Sequence, residues 1–144
     1  MKAFLDTSVL VAVFYGEHEH HEASFDLFRS LNPRSGCTAA HCLAELYSVI
    51  TGMPGRDRAS PDEALLFLGD VRGKLSLVAL GEADYFSLIS EAASARISGG
   101  GVFDAIAGRC ALKAKARTLY TWNVKHFRRL SPELASRVKT PGDS

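Results

Sequence analysis

At 144 residues, with 47% apolar and 23% charged, the chain has the make-up of one ordinary globular domain (residues 1–144), which excludes disordered and fibrous forms. The formal net charge of +1 carries no information about nucleic acid by itself, so any such role has to be read from where the charges lie. The longest apolar run, residues 9–15, falls far short of the ~20 residues of a membrane span, and Lys2 and Asp6 make a poor secretory signal. A cytoplasmic protein with no membrane partner is expected. Cys37, Cys42 and Cys110 are odd in number and lack C-x-x-C spacing, as reduced, buried thiols would.

The opening stretch Lys2-Ala3-Phe4-Leu5-Asp6-Thr7-Ser8-Val9-Leu10-Val11 reads as a buried strand handing over to a helix over residues 7–15, with an acid at the junction. Ligands of open parallel sheets bind beyond the carboxyl ends of strands, which makes Asp6 the first candidate for chemistry. Its structural alternative is to cap the helix, a task that Thr7 or Ser8 could equally perform. Residues 17–22, Glu-His-Glu-His-His-Glu, open a second helical pattern with Phe25, Phe28 and Leu31 facing inward. His18, His20 and His21 lack H-x-x-x-H spacing, and a solvated first turn is favoured over a metal site.

A turn at Asn32-Pro33-Arg34-Ser35-Gly36 precedes a short strand around Thr38, and a helix over residues 41–51 follows. Its expected buried stripe is Leu43, Leu46, Tyr47 and Ile50, with Glu45 on the opposite face near His41 and Ser48. Ser60, Pro61 and Glu63 spell a capping box for a helix over residues 61–71. Residues 75–80 read as another buried strand. A long helix over residues 82–97 is expected to bury Tyr85, Leu88, Ile89 and Ala92. Strands and helices alternating in this way favour a parallel sheet covered on both faces.

The run Ser98-Gly99-Gly100-Gly101 leads into a helix whose stripe is Phe103, Ile106, Ala107, Cys110 and Ala114. Asp104 lies off that stripe, in the first turn, on a row with Gly108, Ala111 and Lys115 that leaves room for a neighbour or ligand. Residues 117–121 read as a final core strand. Thr121 and Asn123 then occupy the same topological place as Asp6. The tail from Ser131 is polar, with an edge strand near Val138.

Between Ala105 and Pro132 stand Arg109, Lys113, Lys115, Arg117, Lys125, Arg128 and Arg129 with no acid among them. Such a local excess either steers a phosphate backbone or solvates a helix face. Trp122 and His126 lie among these cations and are candidates for stacking on bases. Asp6, Glu45 and Asp104 are three acids at or near helix starts. Two carboxylates about 5 Å apart at an effective dielectric near 20 would repel by roughly 3 kcal/mol, so convergence calls for a cation. An all-oxygen set suits Mg²⁺ or Mn²⁺, which can activate water for attack on a phosphodiester.

Four stretches, Leu5-Asp6-Thr7-Ser8-Val9-Leu10, Leu43-Ala44-Glu45-Leu46, Phe103-Asp104-Ala105-Ile106-Ala107 and Thr121-Trp122-Asn123-Val124-Lys125-His126-Phe127, together resemble the PIN domain, most closely the VapC-type toxins of bacterial toxin-antitoxin pairs. The resemblance spans nearly the whole chain in the family's order. It implies an α/β/α sandwich around a central parallel sheet, a Mg²⁺-dependent endoribonuclease (Mn²⁺ as substitute), a cognate antitoxin and a homodimer. It also implies Asp6 and Asp104 as main metal ligands, Glu45 completing the acidic cluster directly or through water, and Thr121 orienting a ligand or water. Asn123 matches a position that is often Asp in PIN nucleases and commonly Asn in these toxins. Arg109, Lys115 and Lys125 are the expected substrate-binding cations.

Two other classes also begin with a strand ending in Asp. A phosphatase of the haloacid dehalogenase type needs a second acid where this chain has Ser8, and a receiver domain needs paired acids at the first strand end. The stronger rival is a PIN fold that binds RNA or protein without cutting, favoured by Asn123 and opposed by three retained acids.

Overall fold

A computed structural model describes residues 2–143. One five-stranded sheet in the order β3-β2-β1-β4-β5 runs parallel throughout, built from β1 (Lys2–Leu5), β2 (Gly36–Ala39), β3 (Ser76–Val78), β4 (Ala116–Tyr120) and β5 (Val138–Lys139). Helices α1 (Thr7–Phe14), α2 (His21–Arg29), α3 (Ala40–Gly52) and α4 (Pro61–Lys74) pack on one face. Helices α5 (Glu82–Ser94), α6 (Gly101–Lys113), α7 (Val124–Arg128) and α8 (Pro132–Ala135) cover the other. The three-layer α/β/α sandwich expected from the alternation is the observed architecture.

The two-residue period of a strand divides the core. In β1, Phe4 points into the layer of α5–α8, while Ala3 and Leu5 point into that of α1–α4. In β4, Leu119 and Tyr120 divide in the same way. From β1 the chain winds outward through β2 to β3, then returns to place β4 on the other flank of β1. The strand order therefore reverses between β1 and β4, and a crevice opens beyond their carboxyl ends. Asp6 follows β1 and Thr121 follows β4, so both stand at that switch point.

Of the capping alternatives, it is Asp6 itself that caps α1, because its carboxylate faces the Val9 amide while the Ser8 hydroxyl turns back onto the acid. Several other local expectations are corrected. α2 starts at His21, which leaves residues 17–20 as a turn and not a helical one. In α3 the buried positions are Cys42, Leu46 and Ile50, with Tyr47 exposed. β3 is an edge strand and only half-buried. α5 ends at Ser94 and leans on α6, so a narrow strip of Leu88 and Ala92 suffices and Tyr85 and Ile89 remain exposed. Phe103 is exposed as well.

The row of small residues on α6 makes room for the protein itself. A Cβ at Gly108 would stand 2.8 Å from Leu134 Cδ2, so the space beside this glycine is filled by α8. The capping box at Ser60 and Glu63 is formed, and β5 is the edge strand expected in the tail. All three cysteines are free and buried.

Candidate active site

Asp6 stands within a hydrogen-bonded network at the floor of the crevice. Its Oδ1 accepts from Ser8 Oγ at 2.6 Å and from the Val9 amide at 3.3 Å, and its Oδ2 accepts from Thr121 Oγ1 at 2.8 Å. Its own amide donates to Tyr120 O at 3.1 Å, extending the β1–β4 pairing to the site. Asp6 is 3% exposed, and burial pushes its pKa up from 3.8 to about 6 against the lowering effect of those three donors. The negative charge of Asp104 adds to the rise, and no cation offsets it among the described residues.

Thr121 is fully buried and ties the two strand ends together: its hydroxyl donates to Asp6 and accepts from the Asn123 amide at 2.9 Å. Ser8 is a second tie, donating to Asp6 while accepting from the Trp122 amide at 2.9 Å. From the sequence Ser8 is a possible helix cap and not a site residue, and a hydroxyl two residues after a buried acid is the signal for this second tie.

Glu45 projects from α3 toward the same cleft, with Thr7 Oγ1 donating to it at 3.4 Å. Burial, followed by the charge of Asp104, raises its pKa. His41 Nε2 lies 3.4 Å from Glu45 Oε1, yet the two are not aligned for a hydrogen bond and this nitrogen is buried without a partner among the described residues. Burial lowers the His41 pKa, and its ring stacks on Phe103 at 5.2 Å. Burial thus disfavours the charged imidazole, and His41 packs beside Glu45 without hydrogen-bonding to it.

Asp104 enters from the first turn of α6, and burial raises its pKa despite His126 and Arg129, which lower it. His126 Nδ1 stands 3.5 Å from its carboxylate. The triple glycine contributes at two points. Gly99 adopts a φ of +60°, and a Cβ at Gly101 would stand 2.6 Å from Ile97 Cγ2, so glycines let the chain double back tightly before α6.

Asp6, Glu45, Asp104 and Asn123 line one open cleft of about 490 Å³ together with Ser8, His18, His20 and Trp122. The carboxylates share the cleft without being pre-drawn together, for no ready-made group of three His, Cys, Asp or Glu ligands exists among the described residues. Asn123 is exposed, and its side chain does not cap α7. Lys125 is exposed on α7, the helix whose Phe127 borders the cleft.

Two expected substrate cations lie elsewhere. Arg109 faces α5, where it pairs with Glu91 and borders a separate groove between α5, α6 and α8. Lys115 follows the end of α6 and precedes β4, which puts it at the amino edge of the parallel sheet, opposite the cleft. The eleven-residue offset from Asp104 keeps Lys115 on the helical row of that acid only if α6 continues that far, and it stops at Lys113. The histidine turn, expected to be merely solvated, instead forms a wall of the cleft through His18 and His20.

The fold and this cleft define a parallel α/β/α domain with carboxylates gathered around its switch point. The PIN domain model matches residues 3–131. Ribonuclease VapC40 of Mycobacterium tuberculosis is 38% identical over 114 residues, 79% of this chain and 81% of that protein. The chain therefore belongs to the PIN domain family and groups with its VapC ribonucleases. Among solved structures, M. tuberculosis VapC20, a sarcin-ricin loop cleaving toxin, is similar with a TM-score of 0.71 at 14% identity, over 87% of this chain and 92% of that one. Rickettsia felis VapBC2, solved bound to a promoter DNA fragment, has a TM-score of 0.68 at 20% identity, over 97% of this chain and 98% of that one. At such identities the two structures establish the shared fold.

Proposed function

We propose that this chain is a divalent-metal-dependent endoribonuclease, the toxin of a toxin-antitoxin pair, which hydrolyses RNA phosphodiesters in the cleft beyond β1 and β4. The observation that carries the reading is the gathering of Asp6, Glu45 and Asp104 around one cleft, each with a pKa raised chiefly by burial. A buried carboxylate without a counter-charge, as Asp6 is here, is costly, and a hard cation is what such oxygen donors accommodate.

Asp6 and Asp104 would hold Mg²⁺ or Mn²⁺, with Glu45 completing the set directly or through water. These ions keep several waters and bind through one or two carboxylates, so a pre-drawn triad is not required. When bound, the ion supplies an activated water and stabilises charge on the phosphate oxygens. Thr121 and Ser8 hold the Asp6 carboxylate in one orientation, so that its oxygens do not need to reorganise on binding. Asn123 presents a neutral donor and acceptor where an acid would add charge, and Lys125 on α7 meets the RNA backbone.

The antitoxin and a homodimer follow from the resemblance to VapC-type toxins, and the exposed Leu65 and Leu66 of α4 and Phe86 and Ile89 of α5 are the apolar surfaces open to such partners. No helix among the described residues is long and apolar enough to cross a membrane, and the resemblance to VapC-type toxins is what supports action in the cytoplasm. Purified protein is tested on labelled total RNA in Mg²⁺, in Mn²⁺ and in EDTA beside Asp6→Ala and Asp104→Asn. Discrete cuts that require metal and vanish in both variants are expected. Tight RNA binding without cleavage would favour the non-cutting reading and turn attention to Asn123.

A further inference from the structure

Beside the acids, the cleft has an aromatic wall. His20 lies flat on Trp122, with ring centroids 3.7 Å apart and planes 8° from parallel, and the His18 ring follows at 5.7 Å. The Trp122 indole is anchored at its edge by its Nε1–H, which donates to the fully buried Ser24 Oγ at 2.9 Å. Its amide donates to Ser8 Oγ, which in turn donates to Asp6 Oδ1, so two hydrogen bonds link the aromatic wall to the central acid. His18 Nδ1 accepts from the His20 amide at 3.0 Å, which orders the turn that presents both rings. The His20 side chain is 37% exposed and, with His18 and Trp122, borders the cleft shared with Asp6, Glu45, Asp104 and Asn123.

Closing a turn between α1 and α2 does not require aromatic rings, and Trp122, packed against the core of α1–α4, carries the His20 ring on its face. A flat, anchored and partly exposed stack rigidly coupled to a phosphate-processing centre suits a ligand that carries both a phosphate and a π-face. We propose that the His20–Trp122 stack is a nucleobase platform, seating one base of the single-stranded RNA beside the phosphate processed at Asp6 and Asp104. The proposal rests on the ribonuclease reading. Stacking of this kind tolerates every base but favours purines, whose larger faces overlap more of the ring pair. His20 and Trp122 thereby act as specificity determinants and not as catalytic residues.

The test measures anisotropy of short fluorescein-labelled oligomers of adenylate, of uridylate and of abasic ribose phosphate, with the full chain carrying Asp104→Asn and EDTA present to prevent cleavage. The parent should bind adenylate more tightly than uridylate and the abasic oligomer least. Adding His20→Ala should weaken adenylate binding roughly ten-fold and leave the abasic oligomer unchanged, while His20→Phe, a flat ring without charge, should restore the adenylate affinity. Equal losses on adenylate and abasic oligomers, or failure of His20→Phe to rescue a folded protein, would overturn the platform. So would a parent that binds all three alike, which leaves the ribonuclease reading standing. A folded parent that binds none of them would also overturn the platform, and the ribonuclease reading is then decided by the cleavage assay in Mg²⁺ and Mn²⁺.

Discussion

Replacing Asp6 by Asn separates the energetic cost of the site from its use. Burial raises the Asp6 pKa from 3.8 to about 6, and every tenfold weakening of acidity corresponds to about 1.36 kcal/mol, so the ionised group costs the metal-free fold about 3 kcal/mol above pH 7. The sign follows from proton counting. Between the two pKa values the folded state holds a proton that the unfolded state has released, so this contribution to stability falls as pH rises through that window. Asn retains an oxygen for Ser8 and the Val9 amide, while its NH₂ meets the Thr121 hydroxyl, whose own hydrogen can turn to Ser8 Oγ, 3.4 Å away. Asp6→Asn should therefore be more stable than wild type by about 1–3 kcal/mol at pH 7.5 in EDTA, with roughly half of that gain remaining at pH 5. Urea unfolding, followed by far-UV circular dichroism at both pH values, measures it. Added Mg²⁺ should narrow the gap by stabilising the wild type alone. A difference that stays constant with pH, or a destabilised variant, would refute the claim that burial of charge dominates at Asp6.

Three further outcomes are expected. Ser60→Ala removes the side chain that accepts from the Glu63 amide at the start of α4 and should cost about 1 kcal/mol in urea unfolding, with the fold retained. Gly36→Ala should cost about 1–3 kcal/mol, because the new Cβ would stand 2.7 Å from Leu75 Cδ2 and 3.1 Å from Leu31 Cβ, and it should appear as a lowered Tm. Lys125→Ala should flatten the dependence of log Kd on log salt for single-stranded RNA by about 0.7 for each phosphate that the lysine neutralises. Arg109→Ala and Lys115→Ala should leave that slope unchanged, since neither side chain borders the cleft.

The alternation of apolar and helical periods was enough to indicate the sandwich, because a parallel sheet needs helices on both faces and that requirement is written into the order of its elements. Asp6, Glu45 and Asp104 were legible for a related reason: each stands at or near the start of a predicted helix, where a parallel topology brings chain segments to one sheet edge. Errors fell where burial depends on a neighbour remote in sequence. Tyr85 and Ile89 share the helical phase of Leu88 well enough to look buried, yet α5 packs chiefly against α6 and its remaining faces meet solvent. At Gly108 the sequence leaves open whether a neighbour or a ligand takes the space, because nothing local shows that Leu134, on a helix not anticipated from the tail, fills it.

Local chemistry determined the acids, the capping box and the strand-to-helix junctions, because spacing along the chain is all that those features need. Tertiary structure alone decided which hydroxyls hold Asp6, which cations border the cleft and that a histidine turn lies against Trp122. Those depend on side chains brought together across a sheet whose strand order reverses between β1 and β4, and pairings such as Asp6 with Thr121, 115 residues apart, leave no periodic trace in the sequence.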